Sequence, residues 1–140
     1  MIGHWHGFRS SHYRRRAKLG YPTPYAPTVS TSATSNDSAE DKAEKEKAYY
    51  LFNCAQRSHG NFVENQPTML AALLIAGVQY PVASTALGAW WCVNRVIYMY
   101  GYTMESKENG RGRLYGLTWS FGQLGLVGLC VPTALSILRK

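Results

Sequence analysis

Cysteine is scarce in this chain and scattered. Cys54, Cys92 and Cys130 are the only three, and no pair has C-x-x-C spacing. Neither a structural zinc site nor a disulfide framework is indicated, and three free, buried thiols are expected. A signal peptide is also missing: "MIGHWHGFRSSHYRRRAK" carries basic residues with no apolar core behind them. There is no period-two alternation of the kind that builds a membrane barrel, and no internal repeat. Acidic residues are few, 8 against 15 lysines and arginines, for a formal net charge of +7. Such a charge suits an anionic partner, either nucleic acid or a membrane surface. Nucleic-acid binding needs the charge gathered on one foldable surface. Here the basic residues flank apolar segments, so no nucleic-acid partner is expected. His4 and His6 form a lone H-x-H at the terminus, which reads as a frayed tail; no metal site is expected.

Charge is absent from one long stretch altogether. Residues 114–138, "LYGLTWSFGQLGLVGLCVPTALSIL", contain no Asp, Glu, Lys or Arg. A bilayer span needs about 20 apolar residues, so this stretch is long enough. Residues 82–102, "VASTALGAWWCVNRVIYMYGY", carry one charge, Arg95. "TMLAALLIAGVQY", residues 68–80, is shorter, but the polar residues before it continue the same helix toward water. Pro81 separates the second and third helices as a tight turn. The polar "TMESKENGRGR" precedes the last span, where Gly122, Gly125 and Gly128 allow close helix approach. The expected fold is an all-α integral membrane helical bundle with three transmembrane helices visible. Residues 1–48 are expected to be a polar, largely disordered segment and linker, with proline-rich "YPTPYAP" extended and residues 28–48 Ser/Thr-rich, then charged. Residues 49–140 form the transmembrane domain.

Basic residues set the orientation. Arg14, Arg15, Arg16 and Lys18 precede the first visible span, and Lys107, Arg111 and Arg113 lie before the last. With three spans these groups share one side, the cytosolic one by the positive-inside rule. On a helix advancing about 100° per residue, Asn53, Arg57, Asn61, Glu64 and Thr68 lie within about 80° of one another. Trp91, Arg95, Tyr98 and Tyr102 lie within about 60° on the next span. The residues taken singly read as neighbour pairs and an interfacial aromatic belt. Taken together, two facing stripes holding cations, an amide, a carboxylate and phenols suit a small zwitterion. Arginine would clamp its carboxylates and Glu64 its ammonium.

"FNCAQRSHGNFVE" before an apolar helix, then "NRVIYMYGY", then a basic loop, resembles the MAPEG family of membrane-associated, glutathione-handling proteins. The likeness is closest to the type-three microsomal glutathione S-transferases and covers residues 49–140, with a weaker echo in "RRRAKLGYPTPY". It implies a homotrimer of four-helix subunits binding glutathione between neighbours near the cytosolic face. It also implies an endoplasmic-reticulum membrane, with the mitochondrial outer membrane as alternative. Arg57, Asn61 and Glu64 match glutathione-binding positions on the family's second helix, and His59 stands where some members carry glutamine. Arg95, Tyr98 and Tyr102 match third-helix contacts to the tripeptide. The arginine credited with activating the thiol corresponds to Arg113, with Arg111 as alternative, and an arginine ending the first helix to one of Arg14–Arg16. Gly60 replaces a bulkier polar residue, and the linker over 28–48 is longer than the family pattern. By this comparison the first transmembrane helix is missing, since residues 1–13 are too short to span.

The implied chemistry stands on general grounds. A thiol of pKa about 8.5 is mostly protonated at neutral pH, and the thiolate is the nucleophile. A nearby guanidinium in a partly dry site favours the anion. Glutathione brings its own nucleophile as co-substrate. The second substrate would be a lipophilic electrophile or lipid hydroperoxide arriving through membrane lipid, giving transferase or peroxidase activity. The alternative is a non-catalytic member of the same fold that binds lipid or a partner protein.

Overall fold

The computed structural model describes residues 1–27 and 38–139. Among the described residues the secondary structure is helical: α1 (Ile2–Arg16), α2 (Ala39–Gly77), α3 (Pro81–Tyr102), a 3₁₀ segment (Glu108–Gly116) and α4 (Trp119–Leu138). The all-α expectation is met, and so is the single helix joining the polar stretch to the apolar run, since α2 passes through both. α2 starts on a capping box: Asp41 N–H donates to the Ser38 hydroxyl at 3.1 Å, and Ser38 N–H donates back to the Asp41 carboxylate at 3.3 Å. It ends where Tyr80 N–H bonds the Ala76 carbonyl, with Pro81 opening α3 at its first turn.

The expectation of a disordered segment over residues 1–48 needs correction where the chain is described. Residues 2–16 form α1 and 39–48 form the first turns of α2; the rest of the expected linker, 28–37, lies outside the described residues. α1 was missed because the face it buries is polar and aromatic. His6, Ser10, Tyr13 and Arg14 are buried, and this i, i+4, i+7, i+8 spacing is one helix face. His6 stacks on Phe62 with ring centroids 4.4 Å apart, and Ser10 donates to the Gln56 amide oxygen on α2. The Arg14 guanidinium bonds the carbonyls of Gly20 and Thr23 at 3.0 and 2.8 Å, folding the following chain back. That chain is tied to α2 by Asn53, whose amide exchanges two bonds with the Ala26 backbone at 2.7 and 3.3 Å. Asn53 therefore does structural work within its stripe.

The core has two parts. One gathers Tyr13, Ala17, Tyr49, Leu51, Phe52, Ala55 and Met99, where α1 crosses α2 and α3. The other gathers Phe62, Met69, Ala72, Trp91 and Leu126 among α2, α3 and α4. Large apolar side chains also face outward, among them Leu74, Val82, Val93, Phe121, Leu124 and Val131, while His6, Ser58, Ser84 and Arg95 are fully or almost fully buried. Apolar outside and polar inside is the arrangement a lipid surround favours. Of the three expected spans, α4 alone is long and apolar enough to cross a membrane by length and composition, with mean hydropathy 1.7.

The 3₁₀ segment docks on α3 backbone to backbone. A Cβ on Gly112 would overlap the Gly101 carbonyl, one on Gly101 would overlap that of Gly112, and one on Gly116 would strike the backbone of Asn94 and Tyr98. Neither side can yield, since backbone meets backbone. Gly112→Ala is expected to destabilise the fold by at least the roughly 1–3 kcal/mol typical of overpacking, read as a lower unfolding midpoint in detergent. Gly7→Ala, whose Cβ meets nothing within 4 Å, is the control and should hold or raise the midpoint.

An ion-pair tie joins the end of α1, the start of α2 and the α3–α4 connection. Lys47 lies 2.7 Å from Glu105 and Arg16 3.9 Å from it. The Lys47 hydrogen bond and charge, then Arg16, hold the Glu105 carboxyl below its ordinary value. A lowered folded-state pKa gives stability that is present above the unfolded value near 4.5 and lost as pH falls through the folded one. Expected is an acid-side fall in melting temperature below that point, shrinking in high salt and reduced in Glu105→Gln.

Candidate functional site

The two stripes meet. Asn61 on α2 accepts a bond from Arg95 Nη1 on α3 at 2.8 Å. Arg95 has no exposed surface, and its guanidinium lies 4.7 to 5.5 Å from the ring centroids of Trp119, Tyr98, Trp91 and Phe62. A buried guanidinium costs heavily unless compensated. Here π faces and one amide compensate it, and among the described residues no carboxylate bonds it. Its Nε and Nη2 have no hydrogen-bond partner among the described residues, so two donors remain for an incoming acceptor.

The row continues along α3. Tyr98 is buried beside Arg95 and meets the Tyr102 ring edge-on at 5.6 Å. The Arg113 guanidinium lies 5.2 Å over Tyr102, with its Nη1 donating to the carbonyls of Asn109 and Gly110 at 2.8 and 3.2 Å. Asn61, Arg95, Tyr98, Tyr102 and Arg113 thus form one continuous row. Arg111 is exposed and joins none of these contacts. On the outer side of α2, Arg57 pairs with Glu64 at 3.1 Å, both side chains about half exposed at 53% and 55%. This is the ordinary neighbour pair, open to solvent and free to exchange partners.

His59 departs from this row. It turns toward α1, its ring near parallel to His6 at 6.4 Å, and its buried Nδ1 has no partner among the described residues. Both nitrogens of His6 likewise have no partner among the described residues, so α1 and α2 share a buried, polar seam where a frayed tail was expected. The spacing of His6 with Ser10, Tyr13 and Arg14 was the available signal. Of the three arginines ending α1, Arg14 is consumed by backbone carbonyls, Arg16 reaches Glu105, and Arg15 is exposed. Among the described residues, no group of three or more His, Cys, Asp or Glu side chains is placed to hold a metal ion.

Chemically, the row offers guanidinium donors at two depths, buried Arg95 and half-buried Arg113, with Arg57 and Glu64 as an exposed dipolar pair beside it. Asn61 has a structural duty as well, because among the described residues it alone hydrogen-bonds the Arg95 guanidinium. Asn61→Leu is expected to cost roughly the 1.5–3 kcal/mol of a hydrogen bond to a charged group, seen in denaturant unfolding of detergent-solubilised protein. Glu64→Gln, at a solvent-screened pair, should cost no more than about 1 kcal/mol.

Comparison with known proteins reaches beyond the two stripes. The MAPEG family matches residues 1–134, nearly the whole chain. The match begins at residue 1, so α1 lies inside it. Carrying the family's pattern from α1 into α4, this chain belongs to the MAPEG family.

Proposed function

We propose that this protein is a membrane-bound glutathione transferase, with glutathione peroxidase activity toward lipid hydroperoxides, of the type-three microsomal kind. The MAPEG family is membrane-associated and includes glutathione transferases and peroxidases. The observation that carries the reading is buried Arg95, bonded to Asn61, without a bonded carboxylate among the described residues, and continuous through Tyr98 and Tyr102 with Arg113. Charge supports it. Arg57, Arg95 and Arg113 against Glu64 carry a formal +2, and glutathione as thiolate, with two carboxylates and one ammonium, carries −2.

In this reading Arg57 and Arg95 hold carboxylates, Glu64 holds the ammonium, and Asn61, His59, Tyr98 and Tyr102 shape the rest of the site. Arg113 faces the sulfur, with Arg111 the less favoured candidate because it stands apart from the row. The thiol gives its proton to solvent and the guanidinium stabilises the anion left behind. With a halogenated aromatic electrophile the sulfur lone pair forms a C–S bond while the carbon–halogen bond breaks and halide leaves. With a lipid hydroperoxide the sulfur takes the terminal oxygen, the O–O bond breaks, and the lipid alkoxide leaves and takes a proton. A second glutathione then forms the disulfide and releases water.

The outward apolar faces of α3, α4 and the second half of α2 support three spans, with α1 packed beside them, and a homotrimer that buries part of that surface. The endoplasmic reticulum is the proposed membrane, and the mitochondrial outer membrane the alternative.

Arg113→Ala should bind glutathione nearly as well as the parent while losing turnover and the ultraviolet absorbance of bound thiolate at neutral pH. The loss should be tenfold or more, since each unit of thiol pKa is about a tenfold change in thiolate at that pH. Arg57→Leu and Glu64→Gln should instead weaken binding. Absent binding of glutathione to the parent protein would overturn the proposal and favour a lipid- or partner-binding role.

A further inference from the structure

Arg113 is carried on a loop that is docked on α3 through its glycines and tied to α2 by one hydrogen bond. Asn109 and Gly110 both sit in the left-handed region, at φ 53° and 60°. This pair of conformations turns both carbonyls onto Arg113 Nη1, which sets the guanidinium over the Tyr102 ring. Asn followed by Gly tolerates this region, so the turn is locally allowed, and what an outside bond adds is to fix where its two carbonyls point. From outside the loop, Gly110 N–H donates to the Tyr50 hydroxyl on α2 at 2.7 Å. Gly110 can accept no side chain in exchange, since a Cβ there would come within 2.5 Å of the Tyr102 ring. A lone pair of the Tyr50 hydroxyl thus takes the Gly110 proton. The bond crosses from α2 to the α3–α4 connection and is made by a half-buried side chain, where neither packing nor core burial requires a hydroxyl.

We propose that Tyr50 is a positioning residue for thiol activation: its hydroxyl locks the Asn109–Gly110 turn and so fixes the Arg113 guanidinium against Tyr102. The proposal rests on the reading of Arg113 as the group that stabilises the glutathione thiolate. Tyr50 itself touches no substrate in this account. Without the hydroxyl, Gly110 N–H loses its partner, the turn relaxes, and the two carbonyls no longer converge on one nitrogen. Arg113 keeps its charge but spends less time at the sulfur. Arg57, Asn61, Glu64 and Arg95 lie on other elements and keep their places.

The test uses the full chain in detergent, with glutathione and a chlorodinitrobenzene as substrates. Parent, Tyr50→Phe, Arg113→Ala and the double variant are compared for glutathione affinity, kcat, KM and the pH midpoint of bound-thiolate absorbance. Tyr50→Phe should keep affinity and KM near the parent's, raise the pH midpoint by about one unit, and lower kcat about tenfold at neutral pH, the loss that one unit implies. Activity should recover as pH rises. The double variant should be no slower than Arg113→Ala, because Tyr50 acts through Arg113. An unchanged pH profile in Tyr50→Phe, beside a collapse in Arg113→Ala, overturns the proposal and leaves the reading of Arg113 standing. Losses that multiply in the double variant overturn it too, as does a Tyr50→Phe protein that melts far below the parent, since the hydroxyl would then be structural. A silent Arg113→Ala removes the activator and with it the role of Tyr50.

Discussion

The burial of Arg95 constrains this bundle more than any other single feature. A guanidinium with no exposed surface must be surrounded by groups that replace water. The chain meets that need with Asn61 from α2 and with rings drawn from α2, α3 and the start of α4. The lateral register of three helices follows. Asn61 must stand opposite Arg95. Trp91 and Tyr98 lie one turn before and after it on α3, and Trp119 must open α4 at the same level. Moving α2 by one turn would strip Arg95 of the Asn61 amide and the Phe62 ring, so the fold and the candidate site share one cause.

The connection between α3 and α4 follows the opposite logic. Where Arg95 is held by large side chains, the Arg113 loop is held by their absence, with Gly101, Gly112 and Gly116 bringing backbone against backbone. One contact is adaptable, because rings can tilt around a cation. The other is rigid, because peptide planes cannot. The two cations of the row are thus mounted differently, Arg95 in a packed aromatic box and Arg113 on a docked loop steered by hydrogen bonds.

Much of this could be read from the sequence, for local reasons. The continuity of α2 and the Pro81 turn rest on periodicity and turn chemistry, and the meeting of Asn61 with Arg95 rests on two stripes of helical period. α1 was hidden because its buried face is His6, Ser10, Tyr13 and Arg14, which no hydropathy scale marks as core. Asn53 shares the stripe's angle yet serves the backbone of Ala26, and angle alone cannot separate a ligand contact from a tie. His59 lies off the stripe by its own spacing, and it turns to α1 as that spacing implies. Tyr50 gave no signal, since its partner is sixty positions away and is a backbone N–H. Asn109 followed by Gly110 marks a left-handed turn, but nothing local names the side chain that holds it.

The length of α2 acts as a depth gauge. Its 39 residues, at about 1.5 Å each, make a rod of about 58 Å, nearly twice the roughly 30 Å of hydrocarbon in a bilayer. On the proposed three-span reading, with Gly77 near the far surface, Glu64 stands about 20 Å up the rod and Arg57 about 30 Å. Arg57 then stands at the level where hydrocarbon gives way to head groups, with Glu64 about 10 Å below it. In the proposed function, a water-soluble tripeptide descends to this level from above, and a greasy molecule reaches it sideways without leaving the lipid. On that proposal, two reactants that share no solvent are brought together by the pitch of one helix.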